Sequence, residues 1–326
     1  MRVLVTGATG FTGSCLARHL ASRGHAVRVL ARDPKRAEPL AAEGMEVALG
    51  DLRDPKSLET AVHDVEIVYN IAALYRAAGL PDRAYYEVNA EGAASLIAAA
   101  AYAGAHRVVH CSTVGVHGDV GDAPVDEDAP FAPGDVYQRS KVEGERLARG
   151  AAAHNGIEVV IARPTGIYGP GDRRLLKLFR GVARRRFVYL GNGRISYHLT
   201  YVTDVAEGLR LCGETPQAGG RTYILGGPQT PTLIDIVNAI AGAAGLTPPR
   251  LHLPVWPVWI AGALCEAMCR PFGVEPPLYR RRVDFFTKSR AFDIGRARRE
   301  LGFAPSVGLD EGVRRTLDWY RKERWL

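Results

Sequence analysis

Tyr137-Gln138-Arg139-Ser140-Lys141 holds a phenol and an ammonium group four residues apart. On a helix that spacing puts both side chains on one face, a turn from each other. A phenol with an ordinary pKa of about 10 is a sluggish proton carrier near neutrality, and an ammonium beside it favours the phenolate. The pair therefore has the makings of an acid–base centre for a hydroxyl or carbonyl. Chance also places Tyr and Lys four apart, so the pair needs support from elsewhere. It comes from His110-Cys111-Ser112-Thr113-Val114-Gly115-Val116-His117-Gly118, which ends an apolar run. A hydroxyl here would hydrogen-bond the oxygen of a substrate lying beside the tyrosine.

A third chemical segment is rich in glycine. Gly7-Ala8-Thr9-Gly10-Phe11-Thr12-Gly13 stands after the run Arg2–Thr6 and before an amphipathic stretch. Glycines there allow a tight turn, bring backbone N–H groups against a pyrophosphate, and let helix and strand pack closely. Its place between a strand and a helix, at the head of a series of βαβ units, marks it as a dinucleotide-binding loop.

The end of the second apolar run selects the cofactor. An acidic side chain there would accept the ribose hydroxyls of NAD; this chain has Ala31 followed by Arg32, whose guanidinium suits a 2′-phosphate. NADP(H) is the expectation, with NAD(H) as the alternative should Asp33 serve the ribose. Gly50-Asp51-Leu52 and Asn70-Ile71-Ala72-Ala73 end the next two runs, at the edge where ligands of such sheets bind. Asp51 could accept from an adenine amino group or cap the following helix.

The elements that must position these groups follow from hydrophobic periodicity. Strands are expected at Arg2–Thr6, Ala26–Ala31, Glu46–Leu49, Glu66–Asn70, Arg107–Ser112 and Glu158–Arg163. Helices are expected near Gly13–Arg23, Lys35–Glu43, Arg83–Ala103 and Val136–His154. Together they predict an α/β fold, a doubly wound parallel Rossmann sheet. After Pro164 the texture shifts to Gly, Pro, Arg and aromatics, which predicts a smaller, mostly C-terminal α/β substrate-binding lobe. The expected division is 1–170, with 199–228 returning to it, against 171–198 and 229–326. Pro254 to Arg270 is apolar on several faces and reads first as a helix buried between the lobes, second as a lid or membrane-surface contact.

Bulk properties narrow the class. With 326 residues, 47% of them hydrophobic, the chain can bury a large core, so disorder is excluded. No run approaches the roughly 18 apolar residues of a membrane span, and the chain opens on a strand rather than a leader, so a cytoplasmic protein is expected. The five cysteines are scattered without metal-site or disulfide spacing and read as packed thiols, so no metal is expected. A net charge of +7, with Arg184 to Arg186 and Arg280 to Arg282 clustered, suits an anionic partner. No nucleic-acid-binding motif accompanies that charge, so a small-molecule substrate is expected and nucleic acid is not. A homodimer is left open.

With Thr6 to Gly13, the Ser112–Gly118 segment and Tyr137-Gln138-Arg139-Ser140-Lys141, the chain resembles the extended short-chain dehydrogenase/reductase family, across nearly its whole length. That family includes nucleotide-sugar epimerases and dehydratases, 3β-hydroxysteroid dehydrogenases and dihydroflavonol reductases. Further matches are Val88-Asn89-Ala90-Glu91-Gly92, Arg163-Pro164-Thr165-Gly166-Ile167-Tyr168-Gly169-Pro170-Gly171, Tyr201-Val202-Thr203-Asp204-Val205-Ala206 and Leu301-Gly302-Phe303-Ala304-Pro305. The resemblance implies Thr113 as the catalytic hydroxyl, counted back from Val116-His117-Gly118 where the family has Val-Tyr-Gly, with Ser112 as fallback. It implies Tyr137 as the proton carrier and Lys141 as the group that holds the nicotinamide ribose and lowers the tyrosine pKa. The implied cofactor set is Gly7, Thr9, Gly10, Phe11, Thr12, Gly13, Arg32, Asp51, Leu52, Asn70, Ala72, Tyr137, Lys141 and Pro164.

The reaction is narrowed by departures from the family pattern. Dehydratases follow the catalytic Thr with an Asp-Glu pair; Val114 and Gly115 stand here and can do no acid–base work. Nucleotide-sugar members commonly carry an Arg shortly before Tyr-Val-x-Asp, where this chain has Tyr197, although Arg194 and Arg282 could meet a phosphate. The segment from Pro254, with Trp256, and Arg290-Ala291-Phe292-Asp293-Ile294 resemble the sterol and 3β-hydroxysteroid branch more closely. Oxidoreduction of an apolar secondary alcohol or ketone is the first expectation, with Tyr197, Arg194, Arg282 and Trp256 about the substrate. A nucleotide-sugar 4-epimerase is the second. A non-catalytic NADP sensor is the third, disfavoured because Tyr137 and Lys141 are both present.

Overall fold

The computed structural model of the protein describes residues 1–76, 79–121, 123–269 and 284–326. Val3, Leu4 and Val5 are wholly buried in β1 (Arg2–Thr6), so neither face of that strand meets water. Such continuous apolar runs belong to a parallel sheet covered on both sides. The chain continues α1 (Phe11–Ser22), β2 (Ala26–Ala31), α2 (Pro34–Ala42), β3 (Glu46–Leu49), α3 (Pro55–Ala61) and β4 (Ile67–Asn70). Next come α4 (Asp82–Tyr86), a π-helical turn over Glu87–Glu91 leading directly into α5 (Gly92–Tyr102), and β5 (Arg107–Cys111). Helix α6 (Val136–Asn155), β6 (Glu158–Pro164), β7 (Gly166–Tyr168), α7 (Leu176–Ala183), β8 (Tyr189–Leu190) and β9 (Leu199–Tyr201) follow. The remainder is α8 (Val202–Glu214), β10 (Thr222–Leu225), α9 (Leu233–Ala243), β11 (His252–Leu253), α10 (Val255–Cys269), α11 (Asp284–Thr287), α12 (Gly295–Leu301) and α13 (Leu309–Lys322).

Seven parallel strands form the main sheet in the order β10-β6-β5-β4-β1-β2-β3. The expected strands are there to within a residue or two, and β10, which the sequence analysis does not foresee, adds a seventh beside β6. The order reverses direction between β1 and β4, so the crevice beyond their carboxyl ends is the switch point where such sheets take ligands. Thr6 Oγ1 fastens that edge: it donates to Asn70 Oδ1 at 2.8 Å and accepts from Ala72 N at 3.0 Å.

One apolar cluster, including Leu16, Leu20, Val109, Leu209 and Phe303, covers one side of the sheet, and another, including Leu58, Leu96 and Ile161, covers the opposite side. A third cluster lies in the second lobe, where Phe179, Tyr189, Val237, Ile240, Leu317 and Tyr320 pack α7, α9 and α13 together. Its two small sheets pair β8 with β11 and β7 with β9. Helix α10 is not buried between the lobes. Among its residues only Gly262 is buried, while Trp256, Ile260, Leu264 and Met268 face outward, so its apolar character serves a surface wall rather than a core. Among the described residues no helix is long and apolar enough to cross a membrane, and no group of His, Cys, Asp or Glu is placed to hold a metal.

Candidate active site

The glycine loop is shaped by contacts that exclude side chains. Gly7 has φ +67°, and a Cβ there would stand 2.7 Å from the backbone of Ala72. A Cβ on Gly13 would stand 2.2 Å from the Gly7 carbonyl oxygen. The loop therefore folds flat against the start of α1, whose N-cap, Gly10, has no side-chain cap. The first backbone N–H groups of α1 are left without intrahelical partners, the setting in which a helix start takes an anion. These residues fit a dinucleotide pyrophosphate.

One cleft of about 1030 Å³ runs from this loop along the sheet edge to the second lobe. It brings together Gly7, Thr9, Gly10, Phe11, Thr12, Gly13, Arg32, Asp51, Leu52, Ala72, Thr113, Tyr137, Lys141, Pro164 and Tyr197. Three expected residues are elsewhere. Asn70 is buried beneath the edge, its Nδ2 against His110 Nδ1 at 3.2 Å, and it braces β4 instead of lining the cleft. Arg194 lies on a shallow surface depression with His252 and Leu253, because the turn at Gly191 and Gly193 carries it outward. Trp256 is 66% exposed and lies outside the cleft; Trp259, one turn on, lines it, as does Glu266 two turns further. Arg282 falls outside the described residues.

Tyr137 and Lys141 stand one turn apart near the start of α6, whose N-cap Asp135 accepts from Gln138 N at 2.8 Å. Lys141 is almost wholly buried, and its Nζ donates to the Cys111 carbonyl at 2.6 Å. Burial depresses its pKa, opposed by Cys111 and Glu145. Burial likewise raises the Tyr137 phenol well above its usual range, and Tyr75 and Cys111 add to the rise. The charges that oppose it are Arg76 and Arg174. Lys141 itself, one turn from the phenol on the same helix, is turned to the β5 end.

The two candidate hydroxyls are distinguished by their bonds. Ser112 donates to Glu145 Oε1 at 2.5 Å, and Glu145 pairs with Arg163 at 2.6 Å, both side chains nearly inaccessible. Arg163 also donates to the Glu127 carbonyl at 2.8 Å. Thr113, half-buried at the cleft wall, accepts from Gly115 N at 3.1 Å and keeps its proton for a further partner.

Several lining residues were not singled out from the sequence. Arg36, four residues after Arg32 in the first turn of α2, donates to the Thr9 carbonyl at 3.2 Å. Tyr75 meets the Tyr137 ring edge-on, centroids 4.9 Å apart. Arg174 lies 5.7 Å from the Phe11 ring, and Arg290 lies 5.3 Å from the Tyr197 ring. The spacing of Arg32 and Arg36 is a readable signal; Tyr75, Arg174 and Arg290 arrive from loops with none. At the far end Arg53 donates to Asp51 at 2.9 Å and holds that carboxyl below its usual value.

Residues 3–226 match the family model described as the NAD dependent epimerase/dehydratase family. The chain is 30% identical to a 2-alkyl-3-oxoalkanoate reductase of Stenotrophomonas maltophilia (strain K279a), covering 97% of this chain and 98% of that one. It is 29% identical to 3beta-hydroxysteroid-dehydrogenase/decarboxylase isoform 2 of Arabidopsis thaliana over 97% of its own length, and spans 61% of that longer relative. Among solved structures, the crystal structure of gox2253 superposes with a TM-score of 0.84 at 31% identity, covering 99% of both chains. With its cleft at the switch point of a seven-stranded parallel sheet, the chain belongs to the NAD dependent epimerase/dehydratase family and is an oxidoreductase-type enzyme of the extended short-chain dehydrogenase/reductase group.

Proposed function

We propose that the protein moves hydride between NADP(H) and a secondary alcohol or ketone on a largely apolar substrate. The observation that carries this reading is the single cleft in which the glycine loop, Thr113, Tyr137 and Lys141 meet a wall of Tyr75, Tyr197, Trp259 and Phe292. In this reading residues 1–170 with 199–228 hold the cofactor, and 171–198 with 229–326 hold the substrate.

The nicotinamide, when bound, supplies or takes the hydride. Tyr137 handles the proton at the substrate oxygen. Burial holds that phenol in its protonated form, from which it can donate to a carbonyl oxygen, and the same group takes the proton back when an alcohol is oxidised. Thr113 steadies the same oxygen, and Lys141 holds the nicotinamide ribose. The preference for NADP(H) rests on Arg32 and Arg36 at the adenosine end. Asp33, the alternative ribose acceptor, is occupied in capping α2, where it accepts from Lys35 N at 3.0 Å.

The reductase and dehydrogenase relatives support oxidoreduction of an apolar compound. A nucleotide-sugar 4-epimerase is the second reading, favoured by Arg174 and Arg290 on the cleft wall. Nicotinamide absorbance, followed with NADPH and a panel of medium-chain ketones beside a UDP-hexose, tests both. Oxidation of NADPH by a ketone supports the first; interconversion of the UDP-hexose without net cofactor change overturns it.

A further inference from the structure

Three guanidinium groups, Arg76, Arg174 and Arg290, line the cleft around Tyr137 and Tyr197, and two of them are already neutralised. Arg76 donates to Asp135 at 2.9 Å, and Arg174 to Asp172 at the same distance. Arg290 differs. Its backbone is pinned beside the second lobe, its N–H donating to the Ser196 carbonyl at 2.7 Å and its carbonyl accepting from His198 N at 2.9 Å. Its guanidinium lies 5.3 Å from the Tyr197 ring, half-buried in the cleft wall, and donates only a long 3.3 Å bond to the Lys288 carbonyl. Among the described residues no carboxylate pairs with it. Tyr197 beneath it is half-buried; desolvation raises its phenol pKa, and Arg290, Arg174 and Arg76 act against that rise.

A half-buried guanidinium without a counter-ion is costly unless a ligand supplies the charge. Its planar fork matches a carboxylate with two parallel bonds. One uncommitted fork suits one negative charge. A diphosphate would call for a second free guanidinium, and Arg76 and Arg174 are engaged. Trp259 lines the same cleft and offers apolar surface for the rest of the molecule, while Phe292, nearly wholly buried, backs the wall.

We propose that Arg290, stacked on Tyr197, receives a carboxylate on the substrate, so that the enzyme acts on an apolar oxo or hydroxy acid rather than a neutral alcohol or ketone. This rests on the proposed oxidoreductase reading and narrows its substrate class. Arg290 is a specificity residue here: it holds the acid end while Tyr137 meets the reacting oxygen.

The test uses the intact protein saturated with NADPH, decanoate and decanol as competing ligands, and calorimetric binding. Decanoate is expected to bind about tenfold or more tightly than decanol, the margin of one charge-assisted pair. Arg290→Met should remove that margin while leaving decanol and NADPH affinity unchanged, and Arg290→Lys should keep part of it. Equal binding of the two ligands to the parent, or an equal loss of both in Arg290→Met, overturns the proposal. So does UDP binding more tightly than decanoate with that affinity lost in Arg290→Met, which assigns the arginine to a diphosphate. Reduction of neutral 2-decanone, measured in parallel, separates the two readings: turnover of the ketone with no acid preference removes only the carboxylate site.

Discussion

Lys141 donates its Nζ to the carbonyl of Cys111, the last residue of β5, at 2.6 Å. The bond ties the helix that carries Tyr137 to the strand end that carries Thr113, so the two groups keep a fixed separation. It also places an ammonium group out of reach of water, and the cost of that burial is what depresses the lysine pKa.

Lys141→Met should therefore change the pH dependence of stability as well as activity. In the unfolded chain the ammonium keeps its ordinary value of 10.5. Between the depressed folded value and that figure the unfolded state binds more protons, so the parent gains stability as pH rises through the window. Below the folded value the full cost is present. Midpoints of thermal unfolding for parent and variant should diverge in the parent's favour as pH is raised toward 10.5, and a pH-independent difference would show that the lysine is not buried as a cation.

Tyr137→Phe should lower kcat by about 10²- to 10⁴-fold, the usual contribution of a positioned proton carrier, with NADPH affinity nearly unchanged. Thr113→Ala should lose less turnover and cost about 0.5–1 kcal/mol of stability through the lost bond from Gly115 N. Ser112→Ala should keep turnover and cost more stability, about 1–3 kcal/mol, because Glu145 loses a buried donor. Greater loss of turnover in Ser112→Ala than in Thr113→Ala would exchange their roles.

Arg32→Ala and Arg36→Ala should each weaken NADPH by about tenfold or more while changing NADH little, since only the former carries the 2′-phosphate. Fluorescence titration with both cofactors reads the ratio directly. Identical losses for the two would reduce these arginines to surface charges.

Gly13→Ala should abolish measurable cofactor binding, because its Cβ would meet the Gly7 carbonyl at 2.2 Å and neither backbone can move without opening the turn. Gly10→Ala, whose Cβ would stand 3.2 Å from the same oxygen, should bind cofactor more weakly than the parent but detectably. Equal cofactor affinity in Gly13→Ala and the parent would remove the loop from the binding site.

Trp259→Ala should raise KM for a medium-chain ketone by about tenfold, the loss of some tens of Å² of apolar contact at about 25 cal/mol per Å². Trp256→Ala should leave KM unchanged, since that ring lies outside the cleft. The same effect from both would mean that the whole outer face of α10 closes over the substrate.

The alternation of apolar runs with helical stretches was enough to place six strands, because a strand buried on both faces leaves a local signature in its own residues. The glycine loop and the Tyr137–Lys141 pair were legible for the same reason: each is a short segment whose chemistry depends on its own spacing. Strand β10 was not, since four residues after a change of texture carry too little period to separate them from a loop. Arg36 is legible too, four residues beyond Arg32 in the first turn of α2.

What the sequence by itself determined is therefore the local set: which loop turns tightly enough for a pyrophosphate, which tyrosine and lysine share a helix face, and which strands run through the core. Only the tertiary structure decided which side chains converge from distant segments. It put Arg174 and Arg290 against Phe11 and Tyr197, turned Trp259 rather than Trp256 into the cleft, sent Arg194 to the surface and gave Ser112 to Glu145. Those outcomes depend on the rotation of α10, the path of the turns and the competition among buried partners. They are fixed by packing between segments far apart in the chain, which no window of sequence contains.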